Sequence, residues 1–354
     1  MAPECSPRNA AAQTLERNMN TFLKTAALGI LASTAMIAAS APQGQTETPN
    51  LKALKGAIKI DGSSTVYPIT EAVAEEFNKV AGKVRVTVGI SGTGGGFKRF
   101  SAGEIDIADA SRPIKQAESD AASKSKIEFV ELPVAYDGLT IVVNPKNTWC
   151  DSLSVDQITK LYSASGGIKT WKDLNPAWPE KAIKVYSPGT DSGTFDYFKE
   201  VTVGKEGSIR SDMSVSEDDN VLVRGVSGDE GAIGFFGCAY YFENKDKVKA
   251  LSVDGGKGPI MPSTATIEDG SYAPFSRPLF IYVNKASAAK PEVIAFIDFY
   301  LKNAPTLVNE VGFVKLPETI GSKVAANWAR RRLGTQFTSS TGGAVKGSLA
   351  NVYE

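Results

Sequence analysis

Histidine is absent from all 354 residues of the sequence. Its absence excludes Ser-His-Asp triads, histidine general bases and histidine metal ligands. A serine nucleophile with a lysine base stays open as an alternative. No G-x-x-x-x-G-K-[ST] motif is present, and the run GTGGGF at 92–97 lacks the last glycine of G-x-G-x-x-G. We therefore predict neither a cofactor nor a bound metal.

An excess of charge of either sign is also missing, because 39 Lys and Arg residues balance 39 Asp and Glu residues. A chain that binds nucleic acid is expected to carry a basic surplus. The sequence therefore predicts no nucleic-acid partner, and its length suits one large domain or two ordinary ones.

The sequence lacks an apolar run long enough to be a clear membrane anchor, but a shorter one lies near its start. From Met19, MNTFLKTAALGILASTAMIAASAPQG places one lysine before an apolar stretch that ends in Ala39-Ser40-Ala41. This pattern is typical of a secretory signal peptide. We predict a signal peptide over residues 1–41, with 1–18 as an N-terminal extension or a start assigned too early, and a linker over 42–55. The predicted location is periplasmic.

Cysteine is scarce, with three residues in the whole chain. Cys5 belongs to the predicted leader, which leaves Cys150 and Cys238 in an exported protein. An even pair in an oxidising compartment favours one disulfide, and two free buried thiols are the alternative.

Strand and helix patterns alternate after the leader. GAIKIDG and VRVTVGI alternate as strands, TEAVAEEFNKV spaces its apolar residues as a helix, and IEFVELPVAYDGLTIVVN predicts two more strands. This order predicts an α/β fold with mostly parallel sheets covered by helices. PEVIAFIDFYLKNAPTLV predicts a late helix that returns to the first part of the chain. Few core-sized residues follow Arg332, which predicts a loosely ordered tail over 333–354.

Four segments concentrate Ser, Thr and Gly: DGSSTVYP at 61–68, SGTGGGFKRF at 91–100, DASRP at 109–113 and SPGTDSGTFDYF at 187–198. Hydroxyl groups and N–H groups at helix starts suit a small oxyanion. Taken alone, SGTGGG is more typical of a flexible turn than of a ligand site, and SST before VYPITEA is also typical of an N-cap. Three of them fall between a strand and a helix, which favours a shared anion site, because ligands bind at that edge of open α/β sheets.

These segments, together with YDGLTIVVNP and SRPLFIYVN, resemble the periplasmic phosphate-binding proteins of high-affinity phosphate ABC importers over about residues 56–330. The resemblance implies a two-lobed, type II-like periplasmic-binding-protein fold, each lobe a mostly parallel sheet flanked by helices, with the ligand in the interlobe cleft. Lobe 1 would comprise 56–142 and 277–332, and lobe 2 would comprise 143–276. It also implies a monomer that binds inorganic phosphate reversibly and delivers it to a membrane ABC permease.

The resemblance further implies a set of phosphate ligands drawn from all four segments. Ser192, Gly193 and Thr194 match the family's Ser-Gly-Thr triplet. The first three segments contribute the positions Ser64, Thr65, the N–H of Val66, Thr93 and Ser111.

Two positions depart from the pattern of some members of that family. Those members carry an aspartate at Ser111, which accepts the proton of phosphate, and the ligand arginine at Pro188. Here Arg112 of the SRP motif is predicted as the ligand arginine, with a pairing to a surface carboxylate as the alternative and Arg277 next in line. Asp137 is predicted as the proton acceptor, with Asp61 as the second choice.

Two other functions stay open on these residues. A phosphate-ester hydrolase would use the same loops but lacks an evident activator for its nucleophile. A receptor for sulfate, molybdate or arsenate would keep the fold and change the anion.

Overall fold

Strands and helices alternate along the chain, as the sequence predicts. The computed structural model describes residues 50–190, 192–204, 206–216, 218–339, 345 and 348–354. The strands are β1 (Gly56–Gly62), β2 (Val84–Ile90), β3 (Ile107–Ala110), β4 (Phe129–Val143), β5 (Ser152–Ser154), β6 (Lys184–Ser187), β7 (Ser214–Val215), β8 (Ala232–Gly237), β9 (Lys249–Ala250), β10 (Ser252–Asp254), β11 (Pro259–Ile260) and β12 (Ser276–Asn284). The helices are α1 (Tyr67–Val80), α2 (Gly92–Ser101), α3 (Gln116–Lys124), α4 (Val155–Tyr162), α5 (Trp171–Leu174), α6 (Gly193–Thr202), α7 (Asp219–Gly228), α8 (Cys238–Glu243), α9 (Thr264–Glu268), α10 (Pro291–Glu310), α11 (Glu318–Ala329) and α12 (Leu349–Val352).

Within the described residues, nine strands form one sheet in the order β2-β1-β3-β12-β4-β8-β6-β7, with β9 also paired to β4. The pairs toward both ends are parallel: β1 with β2 and β3, and β6 with β7 and β8. The middle is antiparallel, because β12 runs against both β3 and β4. The sheet is therefore mixed, with the predicted parallel order on either side of an antiparallel centre.

Strand β4 connects the two sides of this sheet. All 15 of its residues are buried, and the sequence pattern that predicted two strands forms this single one. Its residues from Phe129 to Gly138 pair with β12, and those from Leu139 to Val143 pair with β8. A strand buried on both faces carries a nearly continuous apolar run, which hides its change of partner from the sequence pattern.

Helix α10 packs against the first part of the chain, as predicted. Its buried residues recur at helical spacing, from Val293 through Phe296 and Tyr300 to Val308. The ring of Phe296 meets that of Phe77 in α1 edge to face, with 5.3 Å between ring centroids. This contact ties the late helix to the helix that follows the first loop.

The predicted disulfide between Cys150 and Cys238 is wrong, because both thiols are free and buried. Cys238 lies beside the Leu139 end of β4, since the residue before it pairs with Leu139. Cys150 lies at the opposite end, where its carbonyl accepts a hydrogen bond of 3.0 Å from Lys249, the pairing partner of Val143. Four residues of strand separate the two ends by about 13 Å, and a disulfide needs Cα atoms within about 7 Å.

The prediction of a loosely ordered tail over 333–354 is also wrong for the described residues of that segment. Three of its large apolar residues, Phe337, Leu349 and Tyr353, are buried, whereas Leu333 is exposed. The Tyr353 hydroxyl donates to the carbonyl of Glu131 at 2.9 Å, and the N–H of Gln336 donates to the Glu131 carboxylate at 3.0 Å. A few well-placed side chains and one buried carboxylate are enough to hold this segment on β4.

The predicted signal peptide, residues 1–41, lies outside the described residues, as does the linker before residue 50. No helix in the described part of the chain is long and apolar enough to cross a membrane. The described residues belong to one compact unit, so the division into two lobes stays a prediction.

Candidate functional site

The four Ser-, Thr- and Gly-rich segments all start at the carboxyl end of a strand and lead into a helix. Segments 61–68, 91–100 and 109–113 follow β1, β2 and β3, and segment 187–198 follows β6. The first three strands are adjacent and parallel, so their loops meet at one edge of the sheet. The sequence prediction of where these segments lie is confirmed.

A cavity of about 510 Å³ opens among these loops. It is lined by five of the predicted ligand residues: Ser64, Thr65, Thr93, Ser111 and Arg112. Helix α6 contributes Asp196, Tyr197 and Lys199, and β12 contributes Arg277 and Pro278. The lining therefore combines hydroxyl groups with three cationic side chains and two carboxylates, those of Asp196 and Glu200.

The first loop is held by Ser63, whose buried hydroxyl accepts from the N–H groups of Thr65 at 3.2 Å and Val66 at 3.4 Å. The predicted donor, the N–H of Val66, is thus directed at Ser63 here. The hydroxyl of Thr65 remains on the cavity side, where it accepts a hydrogen bond of 3.0 Å from Arg277 Nη2.

The second and third loops are joined by their hydroxyl groups. Thr93 Oγ1 lies 3.0 Å from Ser111 Oγ and accepts the N–H of Ser111 at 3.1 Å. Both residues line the cavity, so the structure brings together two predicted ligands that lie 18 residues apart in sequence.

Arg112 contacts a carboxylate in the structure. Its Nη1 and Nη2 donate to the two oxygens of Glu118 at 2.8 and 2.7 Å. Burial raises the pKa of Glu118, but the hydrogen bonds from Arg112 and from the N–H of Lys115 outweigh it, and the pKa lies below its ordinary value. This is the alternative considered for Arg112, although the residue also lines the cavity. Its role as the ligand arginine stays a prediction.

Arg277, which the sequence reasoning ranked second, lines the same cavity as Arg112. Antiparallel register sets Arg277 directly opposite Asp137 in the neighbouring strand, and their side chains lie 3.2 Å apart. The guanidinium carbon also lies 3.5 Å from the ring centroid of Tyr197. The available signal was a second Ser-Arg-Pro tripeptide at 276–278, which repeats the one at 111–113.

Asp137, predicted to accept the proton of the anion, is almost fully buried behind Arg277. Burial raises its pKa, and the charge of Arg277 only partly offsets that effect. Asp61, the second choice, is also buried and forms an ion pair with Arg99. Both candidate carboxylates are therefore paired with an arginine.

Ser192, Gly193 and Thr194 begin helix α6, where the hydroxyl of Ser192 caps the helix by accepting the N–H of Thr194 at 3.2 Å. They line an adjacent cavity of about 640 Å³ that shares Ser64 and Thr65 with the first. Gly193 packs on Thr65 so closely that an added Cβ would lie 2.7 Å from the Thr65 Cα. The triplet and the first loop are therefore in direct contact.

Asp196, in the first turn of α6, is a site residue that the sequence reasoning missed. Its carboxylate accepts a weak hydrogen bond of 3.4 Å from the Ser64 hydroxyl, and the residue lines both cavities. Its position in the helix that follows the Ser-Gly-Thr triplet was the signal. Within the described residues, no group of three or more His, Cys, Asp or Glu residues could hold a metal ion.

The chain is similar to several known proteins. The model of the PBP superfamily domain matches residues 38–304. "Protein SphX" of Synechococcus elongatus is 48% identical over 302 residues, which cover 84% of this chain and 89% of that protein. The "Phosphate-binding protein PstS" of Staphylococcus saprophyticus is 43% identical over 266 residues, which cover 75% of this chain and 82% of that protein.

A solved structure supports the same relationship. It belongs to a "possible phosphate binding protein from Planctomyces limnophilus", with a TM-score of 0.77 at 44% identity, and covers 79% of this chain and 100% of that one. The extent of these matches confirms the family predicted from the sequence. The chain belongs to the PBP superfamily and, within it, to the PstS-type phosphate-binding proteins.

Proposed function

We propose that the chain is an exported receptor that binds inorganic phosphate reversibly in the cleft and delivers it to a membrane ABC permease. Relatives named as phosphate-binding proteins support the ligand. The predicted signal peptide supports export, and the family supports the permease partner and a monomeric receptor.

The observation that carries this proposal is the setting of Arg277. Its hydrogen bonds within the described residues use Nε and Nη2, which donate to Asp137 and Thr65, so Nη1 is left for a ligand. The side chain is only 15% exposed. A planar guanidinium in a partly desolvated cleft is suited to two oxygens of a tetrahedral anion.

Hydroxyl groups complete the proposed phosphate site. Thr65, Thr93 and Ser111 line the same cavity as Arg277, and the Ser192–Thr194 triplet reaches the first loop through Gly193. Phosphate oxygens accept from hydroxyl groups and from N–H groups at a helix start, which are the donors that these segments carry.

We further propose that the cleft closes as a clamp between lobe 1 (56–142 and 277–332) and lobe 2 (143–276). The change of partner along β4, from β12 to β8, supports a connection between two lobes near Gly138. Hinged domains absorb closure at a few such positions.

Gly193→Ala tests the contact between the proposed lobes. The added Cβ would lie 2.7 Å from the Cα and 2.9 Å from the N of Thr65, so one backbone must move. We expect phosphate affinity to fall about 10- to 100-fold by titration calorimetry, since overpacking costs about 1–3 kcal/mol. The control is Gly321→Ala in α11, where an added Cβ meets no atom within 4 Å. Equal affinities for the two variants would contradict a close contact at Gly193 in the bound state.

Selectivity needs a group that recognises the proton of phosphate, since sulfate carries none at neutral pH. We keep Asp137 as the proposed acceptor, through the oxygen that does not hold Arg277. Asp137→Asn is expected to lower the affinity for phosphate and to raise the affinity for sulfate, relative to that for phosphate, by at least about 10-fold. The reason is that an amide can donate a hydrogen bond to an unprotonated oxygen that a carboxylate repels. Unchanged affinities for both anions would move the acceptor role to another residue, with Asp61 next to be tested.

The hydrolase alternative shares these loops, so the decisive experiment measures binding and turnover together. Mature protein stripped of phosphate is titrated calorimetrically with phosphate, arsenate, sulfate and molybdate at two pH values. The same preparation is incubated with p-nitrophenyl phosphate. We expect tight phosphate binding, weak sulfate and molybdate binding and no turnover. Absence of phosphate binding, or multiple turnover of the ester, would overturn the proposal.

A further inference from the structure

Tyr197 contacts both the guanidinium of Arg277 and the backbone that precedes it. Its ring centroid lies 3.5 Å from the guanidinium carbon, and its hydroxyl donates to the carbonyl of Pro274 at 2.6 Å. Tyr197 is 5% exposed, so this stacking takes place away from bulk water. Guanidinium–aromatic attraction is strongest in such a desolvated setting.

We infer that Tyr197 is a positioning residue for anion binding, and this inference rests on the phosphate-binding function proposed above. Asp137 and Thr65 restrain the Nε and Nη2 atoms of Arg277, whereas the ring of Tyr197 restrains its plane. Together these three residues fix the orientation of the Arg277 guanidinium before an anion enters, so less conformational freedom is lost on binding.

The location of Tyr197 links the orientation of the Arg277 guanidinium to the position of the Ser-Gly-Thr triplet. Helix α6 starts at Gly193, and Tyr197 lies about one turn further along the same helix. A movement of α6 therefore moves the triplet and the face under Arg277 together. The hydroxyl groups and the cation of the site are thereby aligned by one rigid element.

The test compares variants that keep or remove the aromatic face. Tyr197→Phe keeps the ring and loses only the bond to Pro274, so we expect phosphate affinity within about threefold of the wild type. Tyr197→Leu removes the face, and we expect affinity to fall about 10- to 30-fold. Tyr197→Trp is expected to retain more affinity than Tyr197→Leu, because tryptophan offers the strongest cation–π face.

Tyr162 offers a matched control for the loss of a buried ring. It is fully buried in α4 and packs on Phe198 of α6 with 4.6 Å between centroids, and no contact joins it to Arg277 among the described residues. Tyr162→Leu is expected to lower the melting temperature at least as much as Tyr197→Leu, with phosphate affinity within about threefold of the wild type.

The outcomes separate this inference from the proposed function. A wild-type protein that does not bind phosphate contradicts the function itself. A wild type that binds, with Tyr197→Leu weakened no more than Tyr197→Phe or Tyr162→Leu, overturns the positioning role alone.

Discussion

Replacing Arg277 with alanine is expected to weaken phosphate binding by about 10²- to 10³-fold, because the variant loses a partly desolvated charge at the ligand. It also leaves the buried carboxylate of Asp137 without its cation, which adds repulsion toward any anion. Titration calorimetry with phosphate measures the loss. Circular dichroism verifies that the variant is folded.

Two further variants sharpen this prediction. Arg277→Lys keeps the charge but not the planar fork, so affinity should recover only in part. Arg112→Ala removes the other guanidinium of the cavity, whose fork is bound to Glu118. We expect the loss of phosphate affinity for Arg112→Ala to be at least about 10 times smaller than for Arg277→Ala, because both Nη atoms of Arg112 are already bound to Glu118. A larger loss for Arg112→Ala would restore the assignment made from the sequence and overturn the role of Arg277.

The competition between these two arginines illustrates what the sequence could predict. Ser-Arg-Pro occurs at 111–113, after β3, and again at 276–278, where β12 begins. From sequence alone, the arginine of either tripeptide is a candidate ligand for the anion. Which arginine meets a surface carboxylate and which faces a buried one depends on strand register, since Arg277 lies opposite Asp137 only through the pairing of β12 with β4.

The loops themselves were predictable because their chemistry is local. Gly, Ser and Thr between a strand and a helix produce a turn and a helix start wherever the rest of the chain lies. The positions of all four segments agree with that expectation. The aromatic face under Arg277 was not predictable, because Tyr197 has the same spacing as a core residue of an amphipathic helix.

The wrong disulfide and the wrong prediction of a loose tail have a common physical cause. Cysteine count and compartment argue for a disulfide, but the Cα atoms must also lie close together, and β4 holds Cys150 and Cys238 at opposite ends. The C-terminal segment has few large residues, yet Phe337, Leu349 and Tyr353 are buried, and the Tyr353 hydroxyl donates to the carbonyl of Glu131. The disulfide and the order of the C-terminal segment both depend on contacts between residues far apart in sequence, which composition does not reveal.

Asp109 is a buried carboxylic acid beneath the first anion loop. It is 1% exposed, and neither of its carboxylate oxygens has a hydrogen-bond partner within the described residues. Its backbone carbonyl accepts the N–H of Ser63, the residue whose hydroxyl holds the loop. Burial, with a smaller contribution from the charge of Asp61, raises the pKa of Asp109 to about 8. The hydroxyl of Thr70 acts in the opposite direction, but its own bond of 3.2 Å is with Tyr300.

This raised pKa predicts how stability changes with pH. Between the ordinary pKa of 3.8 and about 8, the native state keeps a proton that the unfolded chain has lost. The free energy of unfolding should therefore fall as pH rises through this interval and level off above about 8. The full interval corresponds to an upper value on the order of 5 kcal/mol for this residue.

Asp109→Asn replaces the titrating acid with a neutral side chain of similar size. Relative to the wild type, we expect it to cost little at pH 5 and to stabilise progressively toward pH 8, by several kcal/mol at most, as measured by urea unfolding at each pH. Asp106, the residue immediately before β3, is the matched control, because its pKa is shifted in the opposite direction. Burial raises the pKa of Asp106, but hydrogen bonds from Lys290, Ser287 and the N–H of Lys59 outweigh it and lower the pKa below its ordinary value.

The contrast between the two aspartates makes the prediction specific. The stability that Asp106 contributes is present above the ordinary pKa of a carboxyl group and is lost as pH falls through its lower native value, so Asp106→Asn should destabilise the protein at pH 6–8. Two isosteric changes three residues apart are then expected to shift stability at pH 8 in opposite directions. A stability difference between Asp109→Asn and the wild type that is constant from pH 5 to 9 would contradict a neutral Asp109. In that case the carboxylate of Asp109 is already ionised at pH 5.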